Sequence, residues 1–156
     1  MIMINLITEL STEVRRILEG STKSDHHSST CFYFGNFPTG CCGDTSIVLQ
    51  YIIAHKLKVE CTYVSGLHKH DSEHTDILSK DASHAWLEWD DYIIDITADQ
   101  FNDRSFKNSP VMTTKNRKFH DIFTREMSYK NSNPADIDGV YLQSINYILE
   151  HLKCMN

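Results

Sequence analysis

The sequence predicts a single α+β domain over residues 1–156, and three observations carry that expectation. Apolar residues recur at three- and four-residue intervals near both ends of the chain, a segment at 42–55 is apolar almost all round, and the middle holds runs that alternate with period two. The order, helices and then strands, is that of a helix packed against an antiparallel sheet. With 40% apolar, 10% aromatic and 23% charged residues the composition is that of one compact domain with a real core.

Taken in order, Met3, Leu6, Ile7, Leu10, Val14, Ile17 and Leu18 form an amphipathic stripe that Gly20 is placed to stop. Residues 21–30, STKSDHHSST, are polar and without periodicity, and read as loop. Pro38 and Gly40 mark a turn into the second helix, whose Ile47, Val48, Leu49, Ile52 and Ile53 suit a central, buried position. Residues 57–64 alternate Leu57, Val59, Cys61 and Tyr63 with polar neighbours, which predicts a half-buried strand ended by Gly66. The stretch 67–81 is polar and rich in histidine. Runs at 83–89 and 92–97 flank Asp90 and Asp91 as a hairpin. Residues 102–135 are mostly polar, with apolar patches at 110–112 and 119–127, and predict one strand within irregular loop. Ile137, Val140, Tyr141, Ile145, Ile148 and Leu152 give a final helical stripe.

Charge narrows the partners. The chain has 21 acidic and 15 basic side chains, a formal charge of -6, so nonspecific grip on nucleic acid is disfavoured. No apolar run approaches the roughly 20 residues that span a bilayer, and Glu9 and Glu13 interrupt the N-terminal apolar segment, which argues against a secretory signal. Cytoplasmic synthesis is the expectation, with later export as an effector left open. Five cysteines, at 31, 41, 42, 61 and 154, lack disulfide-scaffold spacing, and reduced thiols fit that setting.

The segment FPTGCCGDTSIVLQYI sets a cysteine at the start of a buried helix, where unpaired N–H groups and the helix dipole favour thiolate. Neighbouring helical residues point about 100° apart. Only one of Cys41 and Cys42 can therefore face a common partner, and the spacing alone leaves the choice even. Downstream, SHAWLEWDDYIIDIT supplies that partner: if Asp90 and Asp91 form the turn, Trp86 opposes Asp95 and His84 opposes Thr97, all on one face. His84 and Asp95 are then diagonal neighbours, within about 7–8 Å at the backbone, and the carboxylate can accept an imidazole N–H. Nucleophile, base and orienting carboxylate together are the logic of covalent acyl transfer.

Over about residues 35–101 the chain resembles the papain-like and transglutaminase-like cysteine enzymes, whose shared core presents cysteine on a helix and then histidine and aspartate on successive strands. HAWLEWDDYIIDIT is similar to their His-x-Trp-x-Glu strand, short hairpin and Asp before Thr. The resemblance implies Cys42, His84 and Asp95 as the catalytic set, with Gly40, two residues ahead, pointing to Cys42 rather than Cys41. It implies Asn36 as an oxyanion amide, since papain-like enzymes often use a glutamine shortly before the cysteine. Gln100 is a further amide near the site, and Trp86 a wall of it. The implied activity is acyl transfer on a protein or peptide amide without cofactor or metal. Peptidase and glutamine deamidase are its hydrolytic forms; transamidation, or a noncatalytic binding or immunity-type module keeping the fold, are the alternatives.

Packing explains the remaining cysteines more simply than chemistry does. Asp99 is a rival orienter, lying beyond the hairpin, and Glu88 shares the His84 face and is suited to an ion pair. His68, His70 and His74 in HKHDSEHTD match no strong metal spacing and read as solvated loop, as do His26 and His27. KNRK at 115–118 is too short for a nucleic-acid surface.

Overall fold

A computed structural model of the chain describes residues 2–68, 77–79, 82–130 and 136–153. Helix α1 (Ile2–Gly20) buries Ile4, Ile7, Leu10, Val14, Ile17 and Leu18, the stripe that its spacing dictates. Helix α2 (Cys42–Leu57) buries Val48, Leu49, Ile52 and Ile53, and helix α3 (Leu142–His151) buries Ile145 and Ile148. None of the described helices is long and apolar enough to cross a membrane.

Among the described residues five strands form one sheet: β1 (Thr62–His68), β2 (Ser83–Trp89), β3 (Tyr92–Asp95), β4 (Met112–Thr114) and β5 (Phe123–Lys130), in the order β4-β3-β2-β1-β5. Every pairing is antiparallel. The α+β class and the antiparallel sheet are thus those expected. The hairpin register is also as expected, with Trp89 opposite Tyr92 and Leu87 opposite Ile94, although β3 stops at Asp95 instead of Thr97. Asp90 takes the turn with φ 54°, a left-handed conformation that aspartate tolerates.

Two faces of the sheet make two cores. Cys61, Tyr63, Ala85, Leu87, Ile94 and Ile96 join the three helices in the larger one. On the opposite face Val64, Trp86 and Ile93 pack with Ala98, Phe101 and Phe119 from the irregular stretch between β3 and β5 and with Phe123 at the start of β5. That stretch holds two strands where one was expected. Its short β4 and exposed β5 carry too few buried residues to print an alternating pattern.

Strand β1 begins five residues later than its alternation implies. Leu57 closes α2, Lys58 turns the chain with φ 56°, and Val59 and Cys61 are buried without sheet partners until Thr62. Alternation there records burial, and pairing starts only where β2 and β5 come alongside. Gly66 lies inside β1 rather than ending it, at a register shift against β5. A Cβ there would stand 2.7 Å from the Thr124 carbonyl oxygen, so only glycine admits this backbone approach. His68 is buried at the end of β1 with Nδ1 3.2 Å from the Ser79 carbonyl, which corrects its reading as solvated loop. His70 and His74 lie outside the described residues. His26 is buried too, held between Ser144 and Ser21 hydroxyls at 2.8 Å each, and ties α3 to the end of α1.

Candidate active site

The turn into α2 is built from local bonds: Asn36 accepts from the Thr39 N–H at 2.7 Å, Pro38 accepts from the Cys41 N–H at 3.1 Å, and Gly40 takes φ 70°. A left-handed φ is cheap only for a residue without Cβ, and it delivers Cys41 as the residue capping α2 and Cys42 as its first helical residue. Cys41 is 1% exposed and packs into the helix-side core, whereas Cys42 is half-buried. The structure therefore divides the two thiols: Cys41 packs, and Cys42 meets the His84 imidazole.

His84 on β2 and Asp95 at the end of β3 are both buried, and His84 Nε2 lies 2.6 Å from Asp95 Oδ2. The other carboxylate oxygen accepts from the Thr97 N–H at 2.8 Å and the Thr97 hydroxyl at 3.1 Å. Nδ1 of His84, the ring atom that Asp95 leaves free, is buried and has no aligned hydrogen bond among the described residues. Cys42 is close enough to interact with the ring without presenting that aligned geometry, a loose contact common in unliganded cysteine and serine sites.

Electrostatics follow from this placement. Burial alone would raise the Cys42 thiol, but the neighbouring His84 and the Ala85 backbone N–H bring it below the ordinary thiol value. Burial likewise opposes charge on His84, and the Asp95 carboxylate outweighs it, raising the imidazole to about 9. Asp95, buried as it is, is held well below the carboxylate range by the charge on His84 and by hydrogen bonds from His120 and His84. Cys31 is pushed far up by the Cys41 thiol beside it and by burial, and Cys61 is pushed up to about 12 by burial. The arrangement favours a thiolate and imidazolium at Cys42 and His84.

Sequence reasoning missed His120. Its Nε2 lies 2.8 Å from the same Asp95 Oδ2, and it is fully buried against Trp86 and Phe119, with ring centroids 5.0 Å away in each case. The only signal was a histidine between two aromatic residues in KFHDIF, inside the stretch that has no readable period.

The other candidates are placed as follows. Asn36 is exposed in the turn before α2. Gln100 is not a free amide: its nitrogen donates to the Thr97 carbonyl at 3.0 Å and its oxygen accepts the Gly40 N–H at 3.1 Å, so it ties the Cys42 turn to the end of β3. Trp86, 2% exposed, is a wall behind His84 and His120 rather than a surface for substrate. Its indole N–H donates to Glu88 at 3.0 Å, and Glu88 pairs with Arg117 and Arg125 as its position suggested. Asp99 is engaged elsewhere, accepting both Arg15 Nη atoms at 2.8 and 2.9 Å. A cavity of about 170 Å³ lined by Ile47, Gln50, Tyr51, Tyr129 and Tyr141 opens farther along α2, and neither Cys42 nor His84 lines it.

Among the described residues His84, Asp95 and His120 could also be considered as metal ligands, their ligand atoms lying within 4.8 Å of one another. Metal-bound imidazoles normally donate their other ring N–H to a partner. Here Nδ1 of both histidines is buried with no hydrogen-bond partner among the described residues, and both Nε2 atoms are at hydrogen-bond distance from one carboxylate oxygen. The donor set fits a hydrogen-bonded relay and not a metal centre. No family model, curated protein or solved structure matches the chain.

Proposed function

We propose that the chain is a cysteine-dependent acyl-transfer enzyme acting on a protein or peptide amide, chiefly by hydrolysis, on a papain-like or transglutaminase-like core. The observation that carries this reading is His84 held at 2.6 Å by Asp95 with the lowered Cys42 thiol beside it. Cys42 Sγ attacks the amide carbonyl carbon, and the C=O electron pair moves onto oxygen. The Cys42 backbone N–H at the helix start can donate to that oxyanion, an interaction that is worth about 3 kcal/mol in such sites. His84 gives its Nδ1 proton to the leaving nitrogen as the C–N bond breaks, leaving a thioester. Water, deprotonated by His84, then releases the acid and restores the thiolate. Attack on a glutamine carboxamide gives deamidation, and an amine in place of water gives transamidation through the same thioester.

The test is trapping by a peptide vinyl sulfone, read by peptide mass mapping in Cys42→Ala and Cys41→Ala. Adduct on Cys42, lost in Cys42→Ala and kept in Cys41→Ala, is the expected result. The converse pattern would move the nucleophile to Cys41. No adduct on the unaltered chain would favour the noncatalytic binding module.

A further inference from the structure

We propose that His120 is a positioning residue that competes with His84 for one oxygen of Asp95, weakening that carboxylate as an acceptor so that the His84 imidazolium can release its proton. The inference rests on the reading of Cys42 and His84 given above.

Asp95 Oδ2 stands 2.6 Å from His84 Nε2 and 2.8 Å from His120 Nε2. An ionised carboxylate only accepts, so both Nε2 atoms must carry hydrogen. For neutral His84 this fixes the tautomer with a bare Nδ1 on the side away from Asp95, the form a base for Cys42 needs. For His120 it leaves Nδ1 buried and without a hydrogen-bond partner among the described residues. Packing alone gives no reason to keep an imidazole there: its neighbours are Trp86, Phe119 and His84, and a phenyl ring would fill the same space without an orphaned nitrogen. What the imidazole adds is its Nε2–H on Asp95.

The effect on His84 has a definite sign. A donor that stabilises the carboxylate makes it a weaker base, and a weaker base binds a neighbouring imidazolium less tightly. His84 is already raised to about 9, high for a group that must protonate a leaving nitrogen near neutrality. Without His120, Asp95 would hold the proton on His84 more firmly. The other groups around the ring do not blur this. Cys42 faces it from α2, with Tyr63 of β1 beyond the thiol, while Glu88 farther along β2 is neutralised by Arg117 and Arg125. Phe101 and Phe123 close the remaining sides.

The full chain is compared with His120→Phe, which keeps the bulk and removes the donor, and His120→Gln, which keeps an N–H. NMR titration of the His84 ring is run in a Cys42→Ala background, so that thiol titration does not intrude. The expected result is an upward shift of His84 by about one pH unit in His120→Phe, a tenfold change in proton affinity, with Gln close to the unaltered ring. In the Cys42-containing chains, alkylation by iodoacetamide at pH 6 should be kept or increased by His120→Phe, since that reaction needs the thiolate and no proton donor. A downward shift of His84 would mean that His120 merely braces the Asp95 contact, and no shift would mean that it is packing; either overturns the proposal. Should His120→Phe not fold, the imidazole nitrogens of the unaltered chain decide, since a His120 lacking hydrogen at Nε2 removes the competition. Failure of the unaltered Cys42 to alkylate at pH 6 would count against the proposed function, whereas the His84 titration tests His120 alone.

Discussion

Asp95 carries four donors on two oxygens: the Thr97 N–H and hydroxyl, His84 and His120. A buried carboxylate satisfied this fully stays ionised, and its lowered pKa is a statement about stability. Because the folded value lies below the ordinary 3.8, the stabilisation is fully present above about pH 4 and is lost as pH falls through that range. Asp95→Asn should cost about 2 kcal/mol near pH 6, the scale of a charged hydrogen bond. The difference from the unaltered chain should shrink by pH 3, measured by urea unfolding at both pH values; a difference independent of pH would contradict the ionised assignment. His84 has the opposite sign: raised to about 9, its contribution is complete below about 6.5 and fades through 9, while that of Cys42, lowered from the ordinary thiol value, is complete only above that value and is lost as pH falls below it. His84 and Asp95 were legible because a two-residue turn fixes hairpin register, which sets them diagonally, and Cys42 as the start of a buried helix, its choice over Cys41 implied by the resemblance. His120 was not, because it sits in a single helical turn (His120–Ile122) ahead of the exposed β5, and one turn is too short to print a period.

At the level of elements, helices were read closely because a buried face repeats over several turns. The boundaries of β1 were not, since burial and pairing part company between Val59 and Thr62. Gly66 shows the other limit: a glycine in sequence reads as punctuation, and here it is a contact, with the Thr124 and Phe123 backbones filling the place of its side chain. Gly66→Ala must push β5 away from β1, and overpacking of this kind costs about 1–3 kcal/mol. Thermal unfolding should show the loss, together with faster amide exchange along Phe123–Lys130. Unchanged stability would mean that β5 yields to the added methyl without loss of pairing.

Across the whole molecule the site lies between the two faces of the sheet, and Arg15 ties together the segments that frame it. From α1 it donates to the Ile96 carbonyl at 2.6 Å and to Asp99, and its guanidinium lies over Phe37 in the turn before α2, 4.9 Å from the ring centroid. One side chain thereby fixes the chain just past Asp95 and the turn that presents Cys42. Gln100 adds a second tie between the same two segments. Neither was visible in sequence, since both link residues far apart by groups whose composition alone suggests a solvated surface. A Cys42 thiolate sustained by His84 underlies the proposed chemistry, and the rate of iodoacetamide alkylation at Cys42 between pH 5 and 9, followed by peptide mapping, reads it. Cys42 should label rapidly at pH 6, with an acid limb well below the pH of about 8.5 at which a free thiol ionises, and in His84→Ala the limb should move up to that range or beyond. An unlabelled Cys42 at pH 6, or the same limb with and without His84, would contradict it.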